Sequence, residues 1–362
     1  MAERDTVALW STPDREALFQ ETATRSGIGS PVAIEKDYWV YWALRTLFLS
    51  SRQNDLVFKG GTSLSKVYRV ISRFSEDIDL SVDRRTLGFV DNRDPERATS
   101  RTQTLKLINE IPEACRVWVS GDLLQELRND ITKELGTEGW SIHPDPNERS
   151  TLLFSYPYAL ASGVYGGSSY IRPLVRLEFG GRNELWPSEP GVVTSYCAEV
   201  FPDQVLDLAV TTKVLRAERT FWEKATLLHA EHHRPERKQA GERLSRHYYD
   251  TVMLSRAGIA ESALQDPKLR EAVVSHKQIF FQLKWASYET AIPGSFCLMP
   301  HPSTVDALRN DYRMMNEMFF EEPPEFDQIL LEIAALEKRI NTLKPASESA
   351  DANPTGSTPR RR

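Results

Sequence analysis

Residues 59–83 constrain the fold of this 362-residue chain more than any other stretch of its sequence. A glycine turn at residues 59–62 follows a short apolar run, and apolar residues at helical spacing then predict a helix over residues 63–72. Polar and apolar residues alternate over residues 77–82, which is the period of a β-strand. The sequence therefore predicts an α/β fold in which a glycine turn, a helix and a strand follow one another.

The alternation places Asp77 and Asp79 on one face of the strand, because side chains two residues apart point the same way. Two neighbouring carboxylates raise each other's pKa unless a cation lies between them. Oxygen ligands at this spacing suit Mg²⁺, which binds one or two carboxylates together with water and substrate phosphates. The preceding turn offers backbone N–H groups and a helix N-terminus, both favourable for a phosphate. A phosphate site beside a metal site is what nucleotidyl transfer requires.

An isolated Asp-x-Asp pair is common in solvated loops and at strand ends, whereas a Gly-Gly turn followed by a helix and Asp-x-Asp is more specific. In this order, KGGTSLSK and SEDIDL resemble the polymerase-β-like nucleotidyltransferase superfamily. More closely, they resemble the AbiEii/AbiGii-type toxins of type IV toxin–antitoxin and phage-defence (abortive infection) systems. The resemblance implies an α/β (α+β) fold, with a mixed-sheet nucleotidyltransferase core and a C-terminal helical domain.

The resemblance also implies an activity, the transfer of NMP from an NTP to an acceptor with Mg²⁺ or Mn²⁺ as the cofactor. The implied acceptor is RNA, in particular the 3′ end of tRNA, and the implied partner is a separately encoded antitoxin that prevents growth arrest. A net charge of −6 makes RNA a less obvious acceptor than a protein or a small molecule. A protein AMP- or UMP-transferase, a small-molecule nucleotidyltransferase and an inactive nucleotide-binding module therefore stay open as alternatives.

A third acidic candidate comes from residues 174–179, where the odd-numbered positions 175, 177 and 179 are apolar. Arg176 and Glu178 therefore share the opposite face of a predicted strand. An acid on a half-buried face needs an arginine or a metal as its partner. By resemblance, the fold places a third carboxylate on a later strand beside Asp-x-Asp, and Glu178 is the matching residue. A surface pair between Arg176 and Glu178 is the alternative.

Two later motifs supply further candidates. Lys224 lies on the apolar face of a helix predicted over residues 218–233, where a lysine needs an anion such as triphosphate. ERTFWEK resembles the family's second motif, whose lysine handles the nucleotide; a lysine with its ammonium in water is the alternative. RHYYD resembles an Arg-rich motif, which implies that Arg246 closes over phosphates and Asp250 orients a hydroxyl or a lysine. A plain i,i+4 surface pair is the alternative there.

Together these motifs assign the predicted site. Metal binding is predicted for Asp77, Asp79 and Glu178, and catalysis for the same three residues and Lys224. Nucleotide binding is predicted for Gly60, Gly61, Thr62, Ser63, Lys66, Lys224, Arg246 and Asp250.

The chain is predicted to have four segments. Residues 1–54 form an N-terminal helical segment, 55–215 the nucleotidyltransferase core and 216–345 the C-terminal helical domain, with a disordered tail over 346–362. A polar helical insertion at about 84–150 carries no recognisable site. Glu35-Lys36-Asp37 begins a motif typical of the family, and it predicts a packing helix whose charged residues face outwards.

The remaining composition bears on the compartment. Three widely spaced cysteines argue against a disulfide framework and for a reducing environment. The charged first residues do not resemble a signal peptide, and the most apolar early segment, 38–49, is short and contains Arg45. We therefore expect a soluble cytoplasmic protein without a membrane partner.

Overall fold

The computed structural model describes residues 6–75, 77–148, 150–160, 172–235 and 243–343. The chain divides into two compact units, the first made of Met1–Thr220 and Asn316–Pro323 and the second of Phe221–Met315 and Pro324–Arg362. The tail predicted over residues 346–362 lies outside the described residues.

A mixed sheet of seven strands forms the centre of the described part of the first unit. In chain order the strands are β1 (Leu56–Lys59), β2 (Asp77–Val82), β3 (Ser141–Pro144), β4 (Thr151–Ser155), β5 (Leu174–Gly180), β6 (Ser188–Val193) and β7 (Val210–Leu215). In space they follow the order β3-β4-β5-β2-β1-β7-β6. β2 runs parallel to β5 and β1 parallel to β7, and the other neighbouring strands are antiparallel. The predicted α/β fold class is therefore confirmed.

One long helix covers the apolar face of this sheet. The helices of the first unit's described residues are α1 (Thr12–Ser26), α2 (Pro31–Leu49), α3 (Gly60–Lys66), α4 (Arg101–Trp118), α5 (Leu124–Leu135) and α6 (Tyr196–Val200). The Ser30 side chain caps α2 by accepting the Ala33 N–H, and a proline fills the first helical position. Trp39 and Trp42 of α2 lie 6.1 and 5.4 Å from the ring of Phe154 in β4. This aromatic packing leaves the other face of the sheet to the polar residues.

The helix predicted over residues 63–72 is shorter and begins earlier, as α3. Arg69 has a φ of +54°, in the left-handed region that is incompatible with a continuing helix. The chain then runs beside residues 316–323: the Phe74 N–H donates to Met318 O at 2.6 Å, and the Phe320 N–H donates to Ser72 O at 3.1 Å. Because this partner is distant in sequence, local apolar spacing could not indicate where α3 ends.

The region predicted as an insertion adds an edge strand to the sheet. β3 pairs antiparallel with β4, with Ile142 in register with Phe154. Ile142 is the buried residue of this four-residue strand, and the other three are exposed or half-buried. The alternation is too short to indicate a strand in the sequence, and Pro144 at its end is typical of an edge position.

The described residues of the second unit are helices with connecting loops. The helices are α7 (Ala217–His232), which begins in the first unit, α8 (Ser245–Arg256), α9 (Ile259–Leu264), α10 (Pro267–Phe280), α11 (Val305–Met314) and α12 (Phe326–Asn341). The start of α8 is fixed by α11, because the Ser245 N–H and hydroxyl donate to Asp311 Oδ2 at 2.8 and 2.6 Å. Within the part of the chain that the structure describes, no helix is both long and apolar enough to cross a membrane.

Candidate active site

The candidate active site lies on the polar face of the sheet, where β2 and β5 run side by side. In this parallel pair Asp79 is in register with Glu178, and Asp77 is in register with Arg176. The alternate residues of both strands are buried on the opposite face. Because side chains in register point to the same side of a sheet, the carboxylates of Asp77, Asp79 and Glu178 share the polar face with the guanidinium of Arg176. Lys59 of β1, which is in register with Asp79, lies on this face as well.

Arg176 contacts three acids at this face. Its Nη1 lies 2.7 Å from Asp145 Oδ2, and its Nε lies 3.3 Å from Glu178 Oε1 and 3.6 Å from Asp77 Oδ1. Burial lowers the pKa of the guanidinium, but the three acids outweigh burial and raise it above its usual value. Arg176 and Glu178 are therefore not the isolated surface pair of the alternative interpretation.

Glu178 has a strongly shifted pKa. Burial raises the pKa of its carboxyl to about 7, with a further contribution from the charges of Asp77 and Asp79 and an opposing one from Arg176. A carboxyl that titrates near neutrality inside such a group is typical of functional sites.

The glycine turn lies directly against the second aspartate. Gly60 has a φ of +77°, and a Cβ placed on it would lie 1.9 Å from Asp79 Oδ2. Gly61 is equally restricted, because a Cβ there would lie 2.6 Å from Arg73 Nη2 and 2.8 Å from Ser75 Oγ. The structure thus brings together the turn and the carboxylate that the sequence connects only by their order.

A cavity of about 330 Å³ opens beside these residues. Asp79 and Glu178 line it together with Lys59, Glu148 and Asn183. A larger cavity of about 710 Å³ lies against α1 and contains none of the predicted site residues. The chemistry of the lining therefore favours the smaller cavity as the site.

The hydroxyl groups of the turn are bonded within the protein. Thr62 Oγ1 donates to Asp77 O and lies 2.9 Å from Ser75 Oγ, and Ser63 Oγ donates to Gly60 O at 2.9 Å. Both side chains are buried. These bonds fix the turn to β2, and the predicted contacts of Thr62 and Ser63 with a nucleotide stay a prediction.

The Lys66 side chain contacts helix α2 and does not point to the carboxylates of β2. Its Nζ forms an ion pair with Asp37 Oδ1, donates to Thr194 O at 3.1 Å and lies 4.1 Å from the centre of the Tyr196 ring. Burial raises the pKa of Asp37, while Lys66 and the Tyr196 N–H oppose that shift. This closed arrangement favours a structural role for Lys66, and its predicted contact with a nucleotide stays a prediction.

The charged residues of α2 do not face outwards as the sequence predicts. Glu35, Lys36 and Asp37 are 0, 1 and 5% exposed. Glu35 Oε1 accepts the Ala159 N–H at 2.5 Å, and Asp37 pairs with Lys66. The prediction was wrong because these partners come from segments far along the chain.

Lys224 and Asp250 come together within the second unit. Lys224 Nζ lies 2.8 Å from Asp250 Oδ2, and the two residues are 8% and 0% exposed. His247, on the same helix as Asp250, has its Nδ1 3.4 Å from Lys224 Nζ. Arg246 is half-buried. The anion beside Lys224 is therefore a carboxylate of the chain itself, and a solvated lysine or a plain surface pair does not describe these buried residues.

Sequence reasoning missed Asp145, which lies in the region predicted to carry no site. Its Oδ1 accepts the Asn147 N–H at 2.8 Å, which with Arg176 holds the pKa of the carboxyl below its usual value. The Pro-Asp-Pro-Asn sequence indicates the turn that makes the first bond. Nothing in the local sequence indicates that the same carboxylate holds Arg176.

The acids fit a divalent cation by donor chemistry. Among the residues that the structure describes, no group of three or more His, Cys, Asp or Glu side chains is arranged to hold a metal ion. Asp79 and Glu178 nevertheless place hard oxygen donors on adjacent strands, and Mg²⁺ needs only one or two carboxylates when phosphates and water complete its shell. The predicted third ligand, Asp77, lies beside them and next to Arg176.

Comparison with known proteins identifies the family. Residues 42–332 match the family model described as nucleotidyl transferase AbiEii toxin, type IV TA system. A solved structure of MenT4, a nucleotidyltransferase toxin from Mycobacterium tuberculosis H37Rv, matches 90% of this chain and 99% of its own at 15% identity, with a TM-score of 0.36. The comparison with curated proteins finds no match. Because the family model spans well over half of the chain, the protein belongs to the AbiEii family of nucleotidyltransferase toxins of type IV toxin–antitoxin systems.

Proposed function

We propose that this toxin transfers a nucleoside monophosphate from an NTP to RNA, with the 3′ end of tRNA as the acceptor. The observation that carries the nucleotidyl-transfer proposal is the contact between the glycine turn and Asp79, with Glu178 in register on the next strand. A turn this close to Asp79 would hold the phosphates of an NTP next to the carboxylates. The family to which the chain belongs supports an antitoxin as the partner. RNA as the acceptor is the expectation that the resemblance of the sequence motifs carries.

The reaction is a displacement at the α-phosphorus of the NTP. The acceptor hydroxyl oxygen forms a bond to that phosphorus and gives up its proton to solvent. The bond from the phosphorus to the bridging oxygen breaks, and pyrophosphate leaves with the electron pair. Such a reaction needs little covalent chemistry from the protein, because positioning and stabilisation of charge supply most of the catalysis. The backbone of residues 60–63 is proposed to hold the phosphates at the carboxylates.

Asp77, Asp79 and Glu178 are the residues proposed to hold Mg²⁺, or Mn²⁺ in its place. When bound, the ion supplies Lewis-acid stabilisation of the charge on the acceptor oxygen and on the leaving phosphates. The chain prepares this site by the register of β2 with β5, which aligns Asp79 with Glu178, and by Gly60, which contacts Asp79 without a side chain.

Lys224 and Arg246 are proposed to bind the triphosphate. Asp250, at 2.8 Å, fixes the Lys224 ammonium, so that the lysine loses little freedom when it binds an anion. Arg246 lies four residues before Asp250 on α8 and would add a second positive charge to the site. The burial of the pair supports a role beyond a surface salt bridge.

Incubation of the purified chain with each α-³²P NTP, Mg²⁺ and total tRNA tests the proposal. We expect label on tRNA that is lost with EDTA and in Asp79→Asn. Asp130→Asn provides a matched control, because Asp130 is partly exposed and pairs only locally with Lys133 on α5 among its described contacts. This variant should keep the wild-type rate.

Each other result would change the proposal. Label on a protein, with tRNA unlabelled, would establish a protein AMP- or UMP-transferase, and label on a small acceptor would establish a small-molecule enzyme. Absence of label with every NTP and every acceptor class would support the inactive nucleotide-binding module. Equal labelling by wild type and Asp79→Asn would contradict the assignment of the site.

A further inference from the structure

The acid cluster contains its own cation. Arg176 contacts Asp77 and Glu178, which are proposed metal ligands, through Nε, and it contacts Asp145, which is not in the proposed ligand set, through Nη1. The guanidinium therefore bridges the site and a residue outside it. A planar group with several fixed donors can make both kinds of contact at once, which a lysine ammonium on a flexible chain does less well.

Asp145 holds Arg176 from a fixed position. Asp145 is 6% exposed, and its Oδ1 accepts the Asn147 N–H at 2.8 Å and the Glu148 N–H at 3.4 Å. The Asp145 N–H donates to Thr151 O at 2.8 Å, which joins the turn to β4. Oδ2 then receives Arg176 Nη1. The tether is thus rigid, and it keeps the guanidinium beside the acids of β2 and β5.

A divalent cation and this guanidinium are attracted to the same carboxylates and repel each other. We propose that Arg176, tethered by Asp145, is a positioning residue that keeps Asp77 and Glu178 in place and weakens metal binding until an NTP brings additional negative charge. The inference rests on the proposed function, because it takes Asp77, Asp79 and Glu178 as the metal ligands. Metal and nucleotide then bind cooperatively, and by linkage each strengthens the binding of the other.

A titration with Mn²⁺ in the absence of nucleotide measures this effect without any turnover. Free Mn²⁺ is followed by its electron paramagnetic resonance signal for wild type, Arg176→Gln and Arg176→Lys. Removal of one positive charge about 5 Å from a divalent ion strengthens binding by at least about tenfold even at the dielectric constant of water. We expect that gain in Arg176→Gln, whereas Arg176→Lys should stay within about threefold of wild type because it keeps the charge.

Two further variants make the outcome specific. Arg52→Gln removes the same charge elsewhere in the first unit, where Arg52 Nε lies 2.9 Å from Glu126 Oε2, and it should leave the Mn²⁺ affinity unchanged. Addition of a non-hydrolysable NTP analogue should tighten Mn²⁺ binding more in wild type than in Arg176→Gln. Asp79→Asn should weaken Mn²⁺ binding, which tests the metal site itself.

The possible failures are distinguishable. Equal Mn²⁺ affinity of wild type and Arg176→Gln, with binding still weakened by Asp79→Asn, would overturn the role of Arg176 and leave the proposed function intact. Binding that is insensitive to Asp79→Asn would overturn the metal site and with it the inference.

A second measurement uses the wild-type side chain, so that it does not depend on the folding of Arg176→Gln. The ¹⁵N–¹H signal of Arg176 Nε is assigned by its disappearance in Arg176→Lys and followed during a Mg²⁺ titration. We expect it to shift in step with metal saturation, because the ion competes for Asp77 and Glu178. A signal that does not move at saturating Mg²⁺ would overturn the proposal.

Discussion

Two charged clusters of the first unit differ in how the protein surrounds them. In the open cluster on the sheet, the side chains of Asp77 and Glu178 are 22% and 33% exposed and lie near a cavity. In the closed cluster, the side chains of Asp37 and Lys66 are 5% and 8% exposed, and backbone groups and an aromatic ring complete their contacts. Charges that are enclosed with their partners hold segments together, whereas charges that face a cavity are accessible to a ligand.

Substitutions in the two clusters should differ in whether they change stability or activity. Removal of one member of a buried ion pair leaves the other charge buried, which costs about 3–5 kcal/mol of unfolding free energy. Removal of an acid from a crowded, partly exposed group relieves repulsion and costs little stability. Substitutions in the open cluster should therefore affect mainly activity, and those in the closed cluster mainly folding.

The largest effect is expected for Asp79→Asn. The rate of nucleotide transfer should fall by at least about 10³-fold, because a bound ion contributes several kcal/mol to stabilisation of the transition state. The melting temperature should stay the same or rise, since one of three neighbouring negative charges is removed. Label-transfer kinetics measure the rate, and thermal denaturation measures the melting temperature. A rate within tenfold of wild type would contradict the proposed role of Asp79.

Asp37→Asn should lower the free energy of unfolding by about 3–5 kcal/mol, because Lys66 is left buried without its counter-charge. Urea denaturation of the purified variant measures this change. Glu21→Gln is a matched control: it removes an acid from an ion pair with Arg25 whose side chains are 52% and 58% exposed. Such a surface pair contributes about 0–1 kcal/mol. If both variants had equally small effects, the closed cluster would not be structural.

Gly60→Ala should lower stability by about 1–3 kcal/mol and also lower activity, because a Cβ strains the left-handed backbone and displaces Asp79. Gly88→Ala isolates the backbone contribution, since Gly88 has a φ of +81° with nothing within 4 Å of the added Cβ. The control should be destabilised and keep full activity. Equal losses of activity in both would argue against the contact between the turn and Asp79.

The last prediction concerns pH. Burial, together with Asp77 and Asp79, raises the pKa of Glu178 to about 7 in the folded chain, against about 4.3 when it is unfolded. The folded state therefore binds the proton more tightly, so this contribution to stability is present below about pH 4.3 and is lost as pH rises through about 7. In metal-free buffer the melting temperature of wild type should fall relative to Glu178→Gln across this window. A difference that is constant from pH 5 to pH 7 would contradict the shift.

The sequence predicted those parts of the site that depend on local periodicity. The alternation at residues 77–82 placed Asp77 and Asp79 on one face, and the same period placed Glu178 with Arg176. Pairings between distant segments could not be predicted in this way. Asp145 with Arg176, Asp37 with Lys66, and Ser72 with Phe320 are joined only by the tertiary fold.

The outward-facing charges predicted for α2 show why this limit matters. Glu35, Lys36 and Asp37 look like a solvated run because three consecutive charged residues are usually exposed. The structure buries all three, and the partners that compensate Glu35 and Asp37 come from other segments. Charge in a sequence therefore indicates a need for partners, and only the fold shows whether those are water, protein or a ligand.

A crystal structure with Mn²⁺ and a non-hydrolysable NTP analogue, recorded with anomalous data, would show directly whether metal and nucleotide bind at the acids of β2 and β5. We expect an anomalous peak beside Asp79 and Glu178, phosphates at residues 60–63, and an unchanged pair between Asp37 and Lys66. A nucleotide and metal bound elsewhere, with Arg176 still contacting Asp77 and Glu178 as in the free chain, would contradict this expectation.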